Sequence, residues 1–218
     1  MNVDKLFNEE EKKQIAAAVE RAEAKTSGEI VPFVVARSDH YEIAEWRAAT
    51  LLGLFGFAVC LALRAFGSAW DVPNVPTIAL VTLGGGLLGM LAAHYIAAVK
   101  RFCAGRHHLD RRVEQRAAEA FISEEVFKTE GRTGILIFLS LLERRVLVVG
   151  DSGINARVRK EDWAGVVARV VDGITTGQPA RGLTEAIEMC GGLLSAEGVT
   201  RSAQDRDELS DNLRIGRS

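Results

Sequence analysis

Apolar positions recur along this chain in three ways, and each predicts a different kind of element. After Asn8, a good N-cap, and Glu9, Glu10 and Glu11, which suit a first helical turn, they fall at Ile15, Ala18, Val19 and Ala22. That spacing makes one face of a helix, which runs to about Lys25 and stops at Thr26–Ser27–Gly28. Short unbroken runs follow a second pattern: Ile30–Ala36, Ile135–Leu139 and Val146–Val149. Each is rich in β-branched or large aliphatic side chains, the signature of a strand buried on both faces. Pro32, lacking an N–H, predicts an edge position or a bulge in the first of them. The third pattern is long and uninterrupted, over Ala48–Leu63 and Val75–Val99.

The two long runs predict a transmembrane hairpin. Tyr41–Arg47 reads as an amphiphilic helical lead-in, Arg64 can snorkel, and apolar character continues to Trp70, an aromatic suited to the interface. The first span thus approaches the roughly 20 residues a bilayer needs. The second has His94 as its lone ionisable side chain and is long enough to cross with some tilt. The connection GSAWDVPN carries Asp71 and no Lys or Arg. The flanks carry Arg37, Arg47, Lys100, Arg101, Arg106, Arg111 and Arg112, so the positive-inside rule predicts two spans in a cell inner membrane with both termini cytoplasmic. The same cations can meet anionic headgroups. Gly84, Gly85, Gly86 and Gly89 make a small-residue face: close packing on Gly53 and Gly56 is its simplest use, and a homo-oligomer through Gly85 and Gly89 is the sharper one.

So few residues separate Ile135–Leu139 from Val146–Val149, with Glu143 and Arg144 between them, that a β-hairpin is the economical connection. The intervening helix from Arg106 has an apolar stripe at Val113, Ala117, Ala120, Phe121 and Ile122, broken by Thr129–Arg132. Lys160–Thr175 reads as a helix burying Trp163, Val166, Val167, Val170 and Val171 and ended by Gly177 and Pro179; Leu183–Leu194 is a last helix. Val199–Ser218 is polar and reads as largely irregular.

If the first strand lies parallel to Ile135–Leu139, then Gly28–Glu29, Thr133–Gly134 and Gly150–Asp151 converge on one edge. A carboxylate beside glycines with accessible N–H groups can hold a cation or polar ligand, and it can equally be turn chemistry. Glu29 reads either as a solvated strand-end charge or as a polar anchor beside Asp151, with Thr133 as a hydrogen-bonding neighbour.

On these residues the chain resembles the TPM domain family. The pattern TG-x-LIF-x-S-x-x-ER-R-V followed by GD-x-GI carries the resemblance, with TSGEI at Thr26–Ile30 similar to the family's first-strand entry. DRDEL at Asp205–Leu209 is similar to a tail motif of the bacterial branch, with Ser210 where that branch usually has proline. The family includes a thylakoid-lumen phosphatase, a photosystem II repair protein, an animal acetylcholine-receptor accessory protein and many bacterial membrane proteins. The resemblance implies an α/β fold, a small Rossmann-like mixed β-sheet flanked by helices, here interrupted by the two-helix transmembrane hairpin. It implies either an accessory role or a divalent-metal-dependent phosphatase; for the latter, the converging edge nominates Glu29 and Asp151 as the carboxylates that would hold Ca2+ or Mg2+.

Composition narrows the classes. With 218 residues and net charge −2 there is no bulk pull toward nucleic acid. Cys60, Cys103 and Cys190 are scattered, which fits a reducing compartment and no disulfide framework. Met1–Phe7 has no basic stretch followed by an apolar one, so no cleaved signal peptide is expected. Cys103, His107 and His108 lack a fourth metal ligand at suitable spacing. All four histidines fall at or before His108, and there is no P-loop, GxGxxG, HExxH or GxSxG; hydrolysis would be carboxylate-based and metal-assisted. Asp162 reads as a helix-start acid, and Asp205, Asp207, Glu208 and Asp211 as a solvated tail. The expected organisation is a TPM-like cytoplasmic domain from 1–40 and 106–196, the hairpin at 41–105 and a polar tail at 197–218. The expected function is an interaction or accessory module for membrane protein complexes, with the lipid bilayer and a membrane protein as partners; the metal-dependent phosphatase is the alternative.

Overall fold

The computed structural model describes residues 3, 6–66, 73–201 and 208–216. Trp70, Asp71, Asp205 and Asp207, which the sequence singles out, lie outside the described residues. The chain divides into two compact units, Met1–Ser38 with Arg112–Ser218, and Asp39–Arg111.

The first unit is a mixed α/β domain. Helix α1 (Glu9–Glu23) starts with a capping box: the Asn8 side chain accepts from the Glu11 N–H and the Glu11 carboxylate accepts from the Asn8 N–H, both at 2.8 Å. Its predicted face, Ile15, Ala18, Val19 and Ala22, is buried. Strands β1 (Glu29–Val35) and β2 (Gly134–Ser140) are parallel, with Glu29 opposite Gly134, and β3 (Arg145–Gly150) returns antiparallel to β2. The polar end of the chain is not simply irregular. Arg214–Gly216 forms β4, which lies parallel to β1 and completes the order β3-β2-β1-β4.

Strand side chains alternate between two faces. Ile30, Val34, Ile135, Ile137 and Leu139 enter one core with α1, α7 (Ala164–Thr175) and α8 (Pro179–Ala196). Val31, Phe33, Val35, Leu136 and Phe138 enter a second with Val113, Ala117 and Ala120 of α5 (Arg106–Ser123). Helices therefore cover both faces, which explains why β1 and β2 are apolar at nearly every position. Strand β3 differs: it is an edge strand, and Leu147, Val148 and Val149 are only half-buried. Pro32 sits in a strand with neighbours on both sides, but β4 pairs only with Phe33–Val35. The Glu29 N–H points to β2 and the Ile30 N–H away from it, to the Glu23 carboxylate at 2.7 Å. By that alternation the missing N–H of Pro32 faces the stretch that β4 does not reach, so it removes no ladder bond.

Three expectations need correction. Val171 and Ile122 are exposed, at the edges of their helices' apolar faces. The 160–175 helix opens with a 3-10 turn at Lys160–Trp163 before α7. Pro179 does not end that helix but starts α8 at its first turn, where a missing N–H costs nothing.

Cys190 on α8 is fully buried, and burial pushes its thiol well above the ordinary range. A raised pKa means less thiolate at a given pH. In the folded protein at pH 8, N-ethylmaleimide should leave Cys190 unmodified while reacting with the partly exposed Cys103; mass spectrometry of the peptides checks this, and equal labelling would contradict the burial.

The second unit is helical. Helices α2 (Glu42–Phe66) and α3 (Val75–Tyr95) are long and apolar enough to cross a membrane, and only 11% and 6% of their most apolar windows are buried. Asn74 caps α3, accepting the Thr77 N–H at 2.9 Å. The second span is shorter than the sequence suggests. It breaks at Ile96 (φ −104°, ψ 103°), and a separate helix α4 (Ala97–Ala104) follows. Twenty-one residues rise about 32 Å, close to a hydrocarbon core. The glycines of α3 pack on α2: a Cβ at Gly89 would lie 2.3 Å from the Ala48 carbonyl oxygen, and one at Gly85 would lie 3.0 Å from that of Leu52. An oligomer seam through Gly85 and Gly89 would require this hairpin to open.

Candidate functional site

The parallel β1/β2 pair and the β2/β3 hairpin bring the three predicted dipeptides to one sheet edge. Glu29 N–H donates to the Thr133 carbonyl at 3.3 Å, and Asp151 N–H donates to the Gly134 carbonyl at 2.9 Å. The Thr133 hydroxyl donates to the Ser27 carbonyl at 2.7 Å, and the Thr133 N–H donates to the Thr129 hydroxyl at 3.0 Å. Thr133 is thus spent on holding the loop before β2 against the entry to β1.

The glycines of this edge are there because backbone meets backbone. An added Cβ at Gly134 would lie 2.0 Å from the Val126 carbonyl oxygen; one at Gly153 would lie 2.3 Å from that of Gly131 and 2.7 Å from that of Arg132. The TG and GD-x-G motifs therefore weld two loops, 126–133 and 150–153, across the edge.

Both carboxylates are buried and already engaged. Glu29 accepts the Leu209 N–H at 3.2 Å, while the Glu208 carboxylate accepts the Glu130 N–H at 2.8 Å, so the Glu208–Leu209 segment straps the edge. Asp151 caps the short helix α6 (Ser152–Asn155), its Oδ1 accepting the Ser152 N–H at 2.6 Å. Arg132 Nε lies 2.8 Å from Asp151 Oδ2, but its N–H is not aimed at that oxygen. The contact is an ion pair without a hydrogen bond, and Asp151 Oδ2 remains a buried carboxylate oxygen that accepts none. Arg132 itself has φ +57°, directly after Gly131 at φ +78°. A non-glycine residue there carries a strain of order 1 kcal/mol or more.

Among the described residues, no three His, Cys, Asp or Glu side chains converge as metal ligands. Of the two carboxylates expected to hold a divalent ion, Glu29 accepts a backbone N–H and Asp151 faces a guanidinium. The edge also lies at the amino ends of β1 and β2, whereas ligands of open α/β sheets gather at the carboxyl ends.

At that opposite end is a buried carboxylate which sequence reasoning passed over as a turn residue. Glu143 accepts the Ser38 N–H at 2.8 Å and the Ser140 hydroxyl, and the Ser38 and Ser140 hydroxyls lie 2.8 Å apart. Turn N–H groups of Leu141 and Leu142 donate to the Val35 and Ala36 carbonyls. The cluster fixes the chain at Ser38, where it leaves the sheet. Its one sequence signal was a carboxylate three residues after a serine ending an apolar strand.

Fold and site together define a mixed α/β domain with a four-stranded sheet between helices, interrupted by two long apolar helices. No protein-family model and no curated protein matches the chain. In fold it is similar to the BA42 protein of the psychrophilic bacterium Bizionia argentinensis, known from an NMR structure, with a TM-score of 0.60 over 99% of this chain and 99% of that one at 19% identity.

Proposed function

We propose that this chain is a membrane-anchored interaction or accessory module. Its α/β domain, Rossmann-like and of the TPM type, is held at a cell inner membrane by the α2–α3 hairpin, with both termini cytoplasmic. The observation that carries the reading is the near-absence of burial along α2 and α3: a core helix of the same composition would be mostly covered, and so large an apolar surface supports a lipid environment. Orientation rests on the basic flanks. The acidic edge supports the non-catalytic side, because Glu29, Thr133 and Asp151 are each used to join loops and the Glu208–Leu209 strap.

The second reading, a divalent-metal-dependent phosphatase, is favoured by one feature: Asp151 Oδ2, buried and accepting no hydrogen bond. Calcium and magnesium calorimetry and phosphomonoester hydrolysis on the full chain in detergent, wild type and Asp151→Asn, separate the two. The accessory reading expects no saturable binding or turnover that depends on Asp151. It expects Asp151→Asn to cost only about 1 kcal/mol, since asparagine still caps α6 and Arg132 is solvent-exposed. Saturable binding or turnover lost in Asp151→Asn, with helicity unchanged, would replace it with the phosphatase.

A further inference from the structure

We infer that the short helix α4 lies in the boundary between lipid headgroups and acyl chains, with its outward face against phospholipid acyl chains; this rests on the hairpin being a membrane anchor. The helix is inside out for a surface in water. Ala98 and Phe102, four residues apart, face outward, Phe102 at 81% exposure, while Lys100 and Ala104, also four apart, are buried. Tyr95 and Ile96 just before it are 79% and 50% exposed, and they join this face to the exposed Leu87, Leu88 and Leu91 of α3. None of these outward side chains is charged. A helix facing water shows the opposite pattern, with charges out and apolar side chains in.

Polar bonds hold α4 in this attitude. Lys100 donates to the Glu45 carboxylate at 3.0 Å and to the His40 carbonyl at 3.3 Å, and His94 Nδ1 lies 3.1 Å from the same Glu45 oxygen. Arg101 is half-buried and has a partner of its own. Continued straight, α3 would carry Ala104 about 14 Å past Tyr95. Instead the chain breaks at Ile96, and the Cys103 and Ala104 carbonyls accept from Arg47 at 3.1 and 3.0 Å, two residues further along α2 than Glu45. So α4 stays level with the first turns of α2, where the exposed Trp46 also sits. That level is the end of a span of hydrocarbon length, and amphipathic helices and aromatic rings settle there. Net charge plays no part, since Asp39, Glu42 and Glu45 on the α2 side oppose the cations of α4. The apolar face, continuous with the spans, names lipid as its occupant.

The test attaches a nitroxide to one introduced cysteine at a time in the full-length chain carrying Cys103→Ser, in phosphatidylcholine bilayers; Cys60 and Cys190 are buried. It compares collisions with oxygen, which concentrates in hydrocarbon, and with a water-soluble nickel chelate. The oxygen-to-nickel ratio at Ala98→Cys and Phe102→Cys is expected to stand several-fold above that at Lys13→Cys, exposed on α1, with the exposed Leu54→Cys in mid-α2 higher still. Labels at both α4 positions that meet nickel as readily as the one on α1 put α4 in water and overturn the inference. Labels there that meet neither reagent place a protein surface over α4 and overturn it too. In either case a high ratio at Leu54→Cys leaves the anchor standing, whereas a low ratio at Leu54→Cys overturns the anchor and the inference with it.

Discussion

Replacing Gly134 by alanine is expected to lower the melting temperature of the α/β domain by about 10 °C, a loss of about 3 kcal/mol or more. The added Cβ would sit 2.0 Å from the Val126 carbonyl oxygen, a backbone atom that no rotamer change can move. Val126 cannot retreat, because it is itself fully buried in the core between the sheet and α5. Gly134 cannot retreat either: it is paired with Glu29 in β1 and its carbonyl accepts the Asp151 N–H. A shift would therefore disturb two strand pairings at once. Gly153→Ala should behave similarly, pressed against the Gly131 and Arg132 carbonyls, whereas Gly192→Ala, with open space around its Cβ in mid-α8, should be neutral or stabilise by up to about 1 kcal/mol. Thermal melts followed by circular dichroism decide it. If all three alanines melt with the wild type, the welded edge is not what holds these loops.

Glu45→Ala is expected to release α4, because it strands the buried Lys100 ammonium with the His40 carbonyl as its remaining partner there. Breaking one side of a buried ion pair costs about 3–5 kcal/mol, far more than the pair itself contributes. Hydrogen exchange of the α4 amides should speed up strongly in Glu45→Ala. It should return close to wild type when Lys100→Met is added, since a methionine fills similar space without a charge. Unchanged protection of α4 in the single variant would mean that Lys100 reaches water or lipid phosphate on its own. Arg47, which bonds the last α4 carbonyls, would then be the principal tie.

The TG and GD-x-G motifs mark positions where the backbone admits no side chain, and that requirement belongs to the fold before it belongs to any ligand. Thr133 and Asp151 illustrate the difference. The sequence placed them on one edge, and the structure shows them there, but their hydrogen bonds run to the Ser27 carbonyl and the Ser152 N–H. Polar groups buried at a loop junction must be satisfied, and the nearest backbone satisfies them first.

Local pattern alone determined the elements: a period of 3.6 for α1, unbroken β-branched runs for β1 to β3, and two apolar stretches of membrane length, because one apolar face, an unbroken short run and an unbroken long run leave distinct patterns. The β2–β3 hairpin was legible too, and the convergence of Glu29, Thr133 and Asp151 followed on one condition, a parallel β1, which the structure meets. Other features had no local signature. Arg214–Gly216 became a strand because β1 offered unpaired groups beyond Pro32. Leu209 met Glu29 across a long stretch of chain, and the left-handed turn at Gly131–Arg132 set Arg132 against Asp151. Partnerships between distant charged or backbone groups depend on where the packed core brings their carriers. That information lies in the tertiary structure, while a polar residue looks the same in sequence whether it is buried and paired or solvated.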